Sequence, residues 1–435
     1  MIFNKLLKDK ISHRRYATEV GAVRVLMLGW EFPPYFAGGI GIVCYQLTKA
    51  LSEQGIQVTY IMPFGPRNIE KGQLHKLLIA ENIAPTVKVH TVHTTMHAYM
   101  TAQEYQESYV STMLEDTGND TKKQLYGKDL MQEVHNFAHR AAAIADYEEF
   151  DVIHCHDWMT IPAAVWIKQK TKKPLILHIH NTIYDRYLSG SNKVEYDIEQ
   201  LGLRAADKVV CVSHYVRNNV ISNYDVHPDK VVVIHNAMEQ TNPRLAEKPS
   251  ISADDKVVLF AGRITAQKGP EYFIRAARLV ADHDPKVKFV MAGSGDMLHR
   301  MIDLCADLGL ADKFLFPGYY SRDDVDTLFS MADVFVMPSV SEPFGIVPLE
   351  AMSKGTPTII SKQSGVSEVL SHVLKVDFWD VEELAEKILA VLKYEELHEL
   401  LSKHGNWEAR TLTWDKVAER VRTVYRSVIP QIVKH

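Results

Sequence analysis

The chain has 435 residues, of which 46% are hydrophobic and 24% charged, and its formal net charge is −5. That size and composition imply roughly two to three domain equivalents with sizeable cores and exclude a disordered chain, and so mild a charge gives no reason to expect nucleic acid as a partner. No apolar run is long enough to cross a membrane and the first residues are too polar for a secretory leader, so a cytoplasmic enzyme is expected.

In chain order, MIFNKLLKDKISHRR comes first, and its Ile2, Phe3, Leu6, Leu7 and Ile11 would line one face of a basic helix. Peripheral membrane contact through residues 1–15 is weighed there against a frayed or partner-packed extension over 1–21, and the extension is preferred. VRVLMLG then reads as a strand, followed by a long loop, glycines 38, 39 and 41, and a helix from Ile40 to Gln54. Further apolar strands are expected near 57–62, 151–156, 175–180, 208–213 and 230–236. EQTNPRLAEKPSIS breaks the pattern as a linker. A second set follows near 256–261, 286–292, 313–316, 333–338 and 356–361. Alternating strand and helix gives an α/β protein of two Rossmann-like parallel-sheet halves, 22–245 and 251–411, facing a central cleft.

Candidate chemistry concentrates in the second half. KVVLFAGR is a strand with Arg263 and Lys268 just past its end, and Gly293 and Gly295 follow the next strand. In MPSVSEPFGIVPLEAMSKGTPTI, Glu342 and Glu350 bracket a turn at Gly345 that opens a helix, with Pro348 suited to the first helical position. Backbone N–H groups around Ile346 and Val347 would face a diphosphate, and Glu350 at about the third position would meet ribose hydroxyls. Ligands of open parallel sheets gather outside the carboxyl ends of the strands, so these loops should share one crevice.

AGRITAQKGPEYFIRAA, EPFGIVPLE and ADVFVMPS together resemble the retaining glycosyltransferases of family 4, which have the GT-B architecture and include glycogen and sucrose synthases. The resemblance covers nearly the whole chain after about residue 22. In that architecture the last helix crosses back to the first half, for which the segment from about Trp414 to Ile429 within 412–435 is the candidate. The weakly periodic stretch 94–127 is expected to form an excursion near the acceptor site. It implies that Arg263 and Lys268 neutralise a nucleoside diphosphate leaving group, that Glu342 lies beside the donor sugar and that Glu350 binds ribose. It also implies that Gly38, Gly39 and Gly41 approach the donor phosphates from the other wall. WEFPPYFAGGIG and the HDW element at 156–158 are similar to the glycogen synthase branch, although Phe36 stands where those enzymes carry Lys. His180 is expected at the donor sugar, and Asp157, Trp158, Tyr184 and Asp185 on the acceptor side. The implied activity moves a sugar, glucose being preferred, from a nucleoside-diphosphate sugar to a glycan or other hydroxyl acceptor.

Metal-dependent chemistry is weighed and not preferred. Asp282-His283-Asp284 ends an amphipathic helix, and Asp324-Val325-Asp326 starts another, where acids are favoured anyway. His154 and His156 fall in one strand and are expected on opposite faces of the sheet, which argues against shared ligation. His93 and His97 have helical ligand spacing but lack the Glu of a zinc protease motif. No metal or other cofactor is therefore expected. Cysteines 44, 155, 211 and 305 show no CxxC spacing and read as buried thiols. A dinucleotide oxidoreductase fits poorly, because the glycines lack GxGxxG spacing and QVTYIMP ends without an acid. On the same fold, a phosphorylase using sugar 1-phosphate, a sugar-nucleotide epimerase and a non-catalytic binding subunit remain as alternatives.

Overall fold

In a computed structural model of the protein, residues 23–32, 39–64, 87–93, 130–187, 192–239, 255–320 and 324–430 are described. Residues 1–21, the 94–127 stretch, Phe36, Gly38 and His97 lie outside them, as does the expected boundary between 245 and 251.

The first lobe is a seven-stranded parallel sheet. Its strands are β1 (Arg24–Leu28), β2 (Gln57–Phe64), β3 (Val87–His93), β4 (Val152–His156), β5 (Leu175–Ile179), β6 (Lys208–Cys211) and β7 (Val231–Val233), in the order β3-β2-β1-β4-β5-β6-β7. Every residue of VIHCH and LILHI is buried, as a parallel sheet covered on both faces requires. Helices α1 (Gly39–Glu53), α2 (Leu130–Ala145), α3 (Asp157–Thr171), α4 (Ile183–Tyr187), α5 (Lys193–Ala205) and α6 (His214–Tyr224) cross between the strands.

The second lobe is a six-stranded parallel sheet in the order β10-β9-β8-β11-β12-β13. Its strands are β8 (Lys256–Ala261), β9 (Val287–Ala292), β10 (Phe314–Gly318), β11 (Val334–Met337), β12 (Thr358–Ser361) and β13 (Leu374–Val376). Helices α7 (Pro270–His283), α8 (Leu298–Asp307), α9 (Val325–Ser330), α10 (Val347–Ser353), α11 (Val381–Lys393) and α12 (Glu395–Thr411) belong to this half of the chain. The two parallel-sheet halves read from the sequence are present; edge strands β3 and β13 are additional.

The last helix, α13 (Trp414–Val428), packs on the first lobe. Its Trp414, Val417, Val421 and Tyr425 are buried with Leu47 and Leu51 of α1 and Met27 of β1. Each aliphatic side chain covered in this way contributes about 1.5–3 kcal/mol, which fixes the chain end to the opposite lobe. Where the chain crosses, Met238 N–H donates to Leu412 O at 3.3 Å.

Candidate active site

Each sheet reverses its strand order once, between β1 and β4 in one lobe and between β8 and β11 in the other. At such switch points the flanking loops diverge and leave a crevice at the carboxyl ends. A cavity of about 740 Å³ lies there, lined by loops from both lobes.

From β8 come Gly262, Arg263, Gln267 and Lys268. Arg263 is exposed, its guanidinium 3.4 Å from Gln267 Oε1, and Lys268 Nζ is 2.5 Å from Glu342 Oε2. Ser339 Oγ donates to the same carboxylate oxygen at 3.2 Å. Gly293 and Gly295, past β9, hold φ of 143° and 159°. A Cβ on Gly293 would stand 1.8 Å from Gly262 O, and one on Gly295 would stand 2.3 Å from Ile264 O. Only glycine lets the two strand exits lie side by side at the cavity floor.

From β11 come Glu342, Gly345, Ile346 and Val347. Gly345 takes φ of 102° as the chain turns into α10. That helix begins at Val347, so Pro348 is second and Glu350 fourth, one position later than the spacing suggested. Leu349 and Glu350 N–H both return to Ile346 O, and Ile346 and Val347 line the cavity. Glu350 lines a smaller crevice of about 60 Å³ with Lys354 and Trp414 instead of the large cavity. It is near enough to Tyr320, a lining residue, to reinforce the upward push that burial gives that phenol. Tyr319 beside it is 77% exposed and also lines the cavity, an aromatic wall that no strand or helix periodicity marks out.

The first lobe contributes Gly39, Ile40, Val43, His180 and Asn181. Gly41 does not line the cavity; its N–H donates to the buried Glu31 carboxylate at 2.8 Å. Glu31 thus caps α1 from within the chain, a partner that the sequence did not single out.

His180 directly follows β5 and joins a stack of four imidazoles, with His154 and His156 on β4 and His178 on β5. The expectation that His154 and His156 face opposite sides is wrong, since residues i and i+2 of a strand share a face and their rings stack at 4.5 Å. His154 Nε2 lies 3.2 Å from His178 Nδ1, and His156 Nδ1 lies 2.9 Å from His180 Nε2. Tyr425 of α13 meets His154 Nδ1 at 2.6 Å. Burial, reinforced by neighbouring imidazoles, pushes all four well below the usual histidine range.

Two groupings of metal-ligand atoms occur among the described residues. His154, His156 and His178 bring nitrogens within 4.8 Å of one another. His154 and His178 lie edge to edge within 9° of parallel and spend Nε2 and Nδ1 on each other at 3.2 Å, while His156 stacks on His154 and spends its Nδ1 on His180. In His214, His235 and Glu368, the carboxylate accepts the His214 and Tyr215 N–H groups at the start of α6 and meets His235 at 2.8 Å. Those hydrogen bonds outweigh burial and hold the Glu368 carboxyl below its usual range. His93 ends strand β3, so its spacing to residue 97 is not helical at that end.

The residues expected on the acceptor side do not line the cavity. Asp157 is buried at φ of 55°, and its Oδ1 accepts the His180 backbone N–H at 2.7 Å. Trp158 is buried under Arg186, and Tyr184 packs edge-on against Tyr224. Asp185 is fully buried and accepts from Thr182 N–H at 2.8 Å and, across the lobes, from Ser341 Oγ at 2.8 Å. Burial raises its carboxyl above the usual range. A strand-end acid in sequence looks alike whether it meets solvent or a neighbouring lobe. Beside this seam, Ser213 Oγ donates to Pro343 O at 2.6 Å.

Neither Asp-x-Asp segment reaches the large cavity. Asp282 pairs with Arg278, and Asp326 meets Lys354 at 2.6 Å. All four cysteines are free and buried. Among the described residues, no helix is long and apolar enough to cross a membrane.

Comparison with known proteins follows the same division. Residues 24–232 match the model of the starch synthase catalytic domain, and residues 242–406 match glycosyl transferases group 1. An uncharacterized glycosyltransferase of Methanocaldococcus jannaschii is 30% identical over 93% of this chain and 98% of its own. A glycogen synthase of Mycobacterium tuberculosis is 24% identical, with 80% of each chain covered. Among solved structures, the sucrose-phosphate synthase of Thermosynechococcus elongatus superposes with a TM-score of 0.70 at 20% identity, covering 93% of this chain and 98% of that one.

Proposed function

The chain belongs to the family 4 glycosyltransferases of GT-B fold, in their glycogen and starch synthase-like group, and on that footing we propose a retaining, metal-independent sugar transferase. It moves a hexose, glucose being the preferred reading, from a nucleoside-diphosphate sugar to a glycan or other hydroxyl acceptor with α-linkage. The observation that carries this reading is the meeting of Arg263, Lys268, Glu342, Ile346 and Val347 on one cavity between the sheets. The starch synthase match over the first lobe supports glucose.

Arg263 and Lys268 take up the negative charge that grows on the leaving diphosphate, helped by the partial positive end of α10. Among the described residues the carboxylates that line the cavity are Glu342, paired with Lys268, and Asp296 beside Gly295; neither is assigned as nucleophile, and leaving phosphate and incoming hydroxyl are held on one face of the sugar. Glu342 and His180 orient the oxocarbenium-like ring, and the arrangement works mainly by positioning and charge stabilisation. On donor binding the Lys268–Glu342 ion pair opens, which frees the cation for phosphate and the carboxylate for the sugar. Tyr319 supplies a flat, exposed face for the nucleobase.

The test is product analysis with ADP-, UDP- and GDP-sugars and glucan or small acceptors. Free nucleoside diphosphate together with an α-configured product supports the reading. A β-configured product, or diphosphate release that stops in chelator and returns with manganese, contradicts it.

A further inference from the structure

His180 is gripped twice by neighbouring residues. Asp157 Oδ1 holds its backbone N–H at 2.7 Å, and His156 Nδ1 meets its ring Nε2 at 2.9 Å. Asp157 does this from φ of 55°, a conformation uncommon outside glycine, at the point where β4 turns directly into α3. Behind the pair, His154 and His178 stack on the two rings at 4.5 and 4.4 Å, and Tyr425 anchors His154 from the last helix. His156 therefore has little freedom to turn. It lies 2% exposed, and the ring nitrogens left without a hydrogen bond are His156 Nε2, His178 Nε2 and His180 Nδ1.

Proton counting decides what this grip does. A neutral imidazole carries one N–H, and burial among like groups keeps these rings neutral. If His180 Nε2 carried its proton and donated to His156 Nδ1, the one N–H of His156 would sit on Nε2, buried with nothing to receive it. If His156 donates from Nδ1, its Nε2 is only a bare acceptor and the proton of His180 moves to Nδ1. Either arrangement leaves one buried N–H without a partner in the free protein, on His156 Nε2 in the first and on His180 Nδ1 in the second. Of the two residues His180 lines the cavity and His156 does not, so a ligand can complete the N–H of His180 alone.

We propose that His156 is a positioning residue that fixes the tautomer of His180, so that His180 meets bound substrate as a hydrogen-bond donor through Nδ1. The inference rests on the reading above that His180 works at the donor sugar. The group it addresses is an oxygen that accepts a hydrogen bond, a sugar hydroxyl or a phosphate oxygen, and a ligand carrying only donors at that place is rejected.

The wild-type protein labelled with 15N-histidine tests this by two-bond 15N–1H correlation, the His180 signals being identified by their loss in His180→Ala. Nε2 unprotonated and Nδ1 protonated is the expected pattern; the reverse overturns the proposal. Kinetics give a second arm. His156→Leu should lower kcat/KM roughly tenfold, the scale of one well-placed hydrogen bond. His156→Asn, which keeps an amide N–H near the Nδ1 position, should recover part of it. In a His180→Ala background, His156→Leu should add nothing, and a loss that persists there means that His156 acts by some other route and sinks the proposal. Full turnover in His180→Ala alone would overturn the donor-sugar reading of His180, a failure separate from the tautomer seen by resonance. The resonance arm needs no substitution at His156, so it stands even where His156→Leu does not fold.

Discussion

Lys268 Nζ and Glu342 Oε2 stand 2.5 Å apart in the lining of the cavity, joining the loop after β8 to the loop after β11. Both side chains are largely buried, at 20% and 8% exposure. The pair ties the two loops together, and on the proposed function donor binding would exchange this contact for phosphate and sugar.

Loss of either cation should therefore strike the chemical step. Lys268→Ala or Arg263→Ala is expected to cost about 3 kcal/mol of barrier, roughly a hundredfold in kcat, on the scale of removing a preorganised oxyanion donor. Lys268→Ala also leaves Glu342 without its cation, so a drop in melting temperature should accompany it but not Arg263→Ala, whose side chain is exposed. Steady-state rates with thermal melts on both variants check this, and near wild-type turnover in Arg263→Ala counts against the assignment.

Glycine at 293 is required by contact as well as by φ. Gly293→Ala would place a Cβ 1.8 Å from a backbone oxygen, which cannot move without shifting the exit of β8. A stability loss of about 1–3 kcal/mol is expected, with donor KM raised, because Arg263 follows directly on Gly262. Urea midpoints and donor saturation curves measure the two effects.

Acid should weaken the fold through the histidine stack. The folded pKa values are depressed below the unfolded value of about 6.5, so their stabilising contribution is present above that pH and is lost as pH falls towards the folded values. Below about pH 6.5 the unfolded chain binds protons that the folded chain refuses, and stability drops by up to about 1.4 kcal/mol per pH unit for each such ring. Urea unfolding between pH 7.5 and 5 should show this slope, and His178→Leu should make it shallower by about one proton. An unchanged slope would mean that the ring is already protonated in the fold.

Nucleobase contact through Tyr319 predicts a split in the kinetic constants. Tyr319→Ala should raise donor KM roughly tenfold or less, with kcat nearly unchanged, because stacking acts before the bond breaks. A fall in kcat alone would place the ring nearer the reacting centre.

Much of the architecture was legible because parallel strands buried on both faces read as apolar runs, as in VIHCH and LILHI. β13 escaped, since three residues carry no period, and VKVHTVH escaped at the sheet edge. The structure brings Arg263, Lys268, Glu342 and His180 to one cavity because all four follow strands at their carboxyl ends. Asp157 and Asp185 follow strands in the same way, yet each turns to a backbone or side-chain donor and not to the cavity, and only three-dimensional neighbours distinguish the two cases. Glu31 was hidden because a carboxylate capping a helix ten residues away leaves no local spacing.

The central claim is that protein cations in this cavity hold a nucleoside diphosphate. Isothermal titration of UDP, ADP and GDP in EDTA, into wild type and the Arg263→Ala/Lys268→Ala double variant, tests it most directly. At least one diphosphate should bind wild type without metal and bind the double variant roughly a hundredfold more weakly. Equal affinity in the two proteins, or binding to wild type only when a divalent cation is restored, would contradict the account.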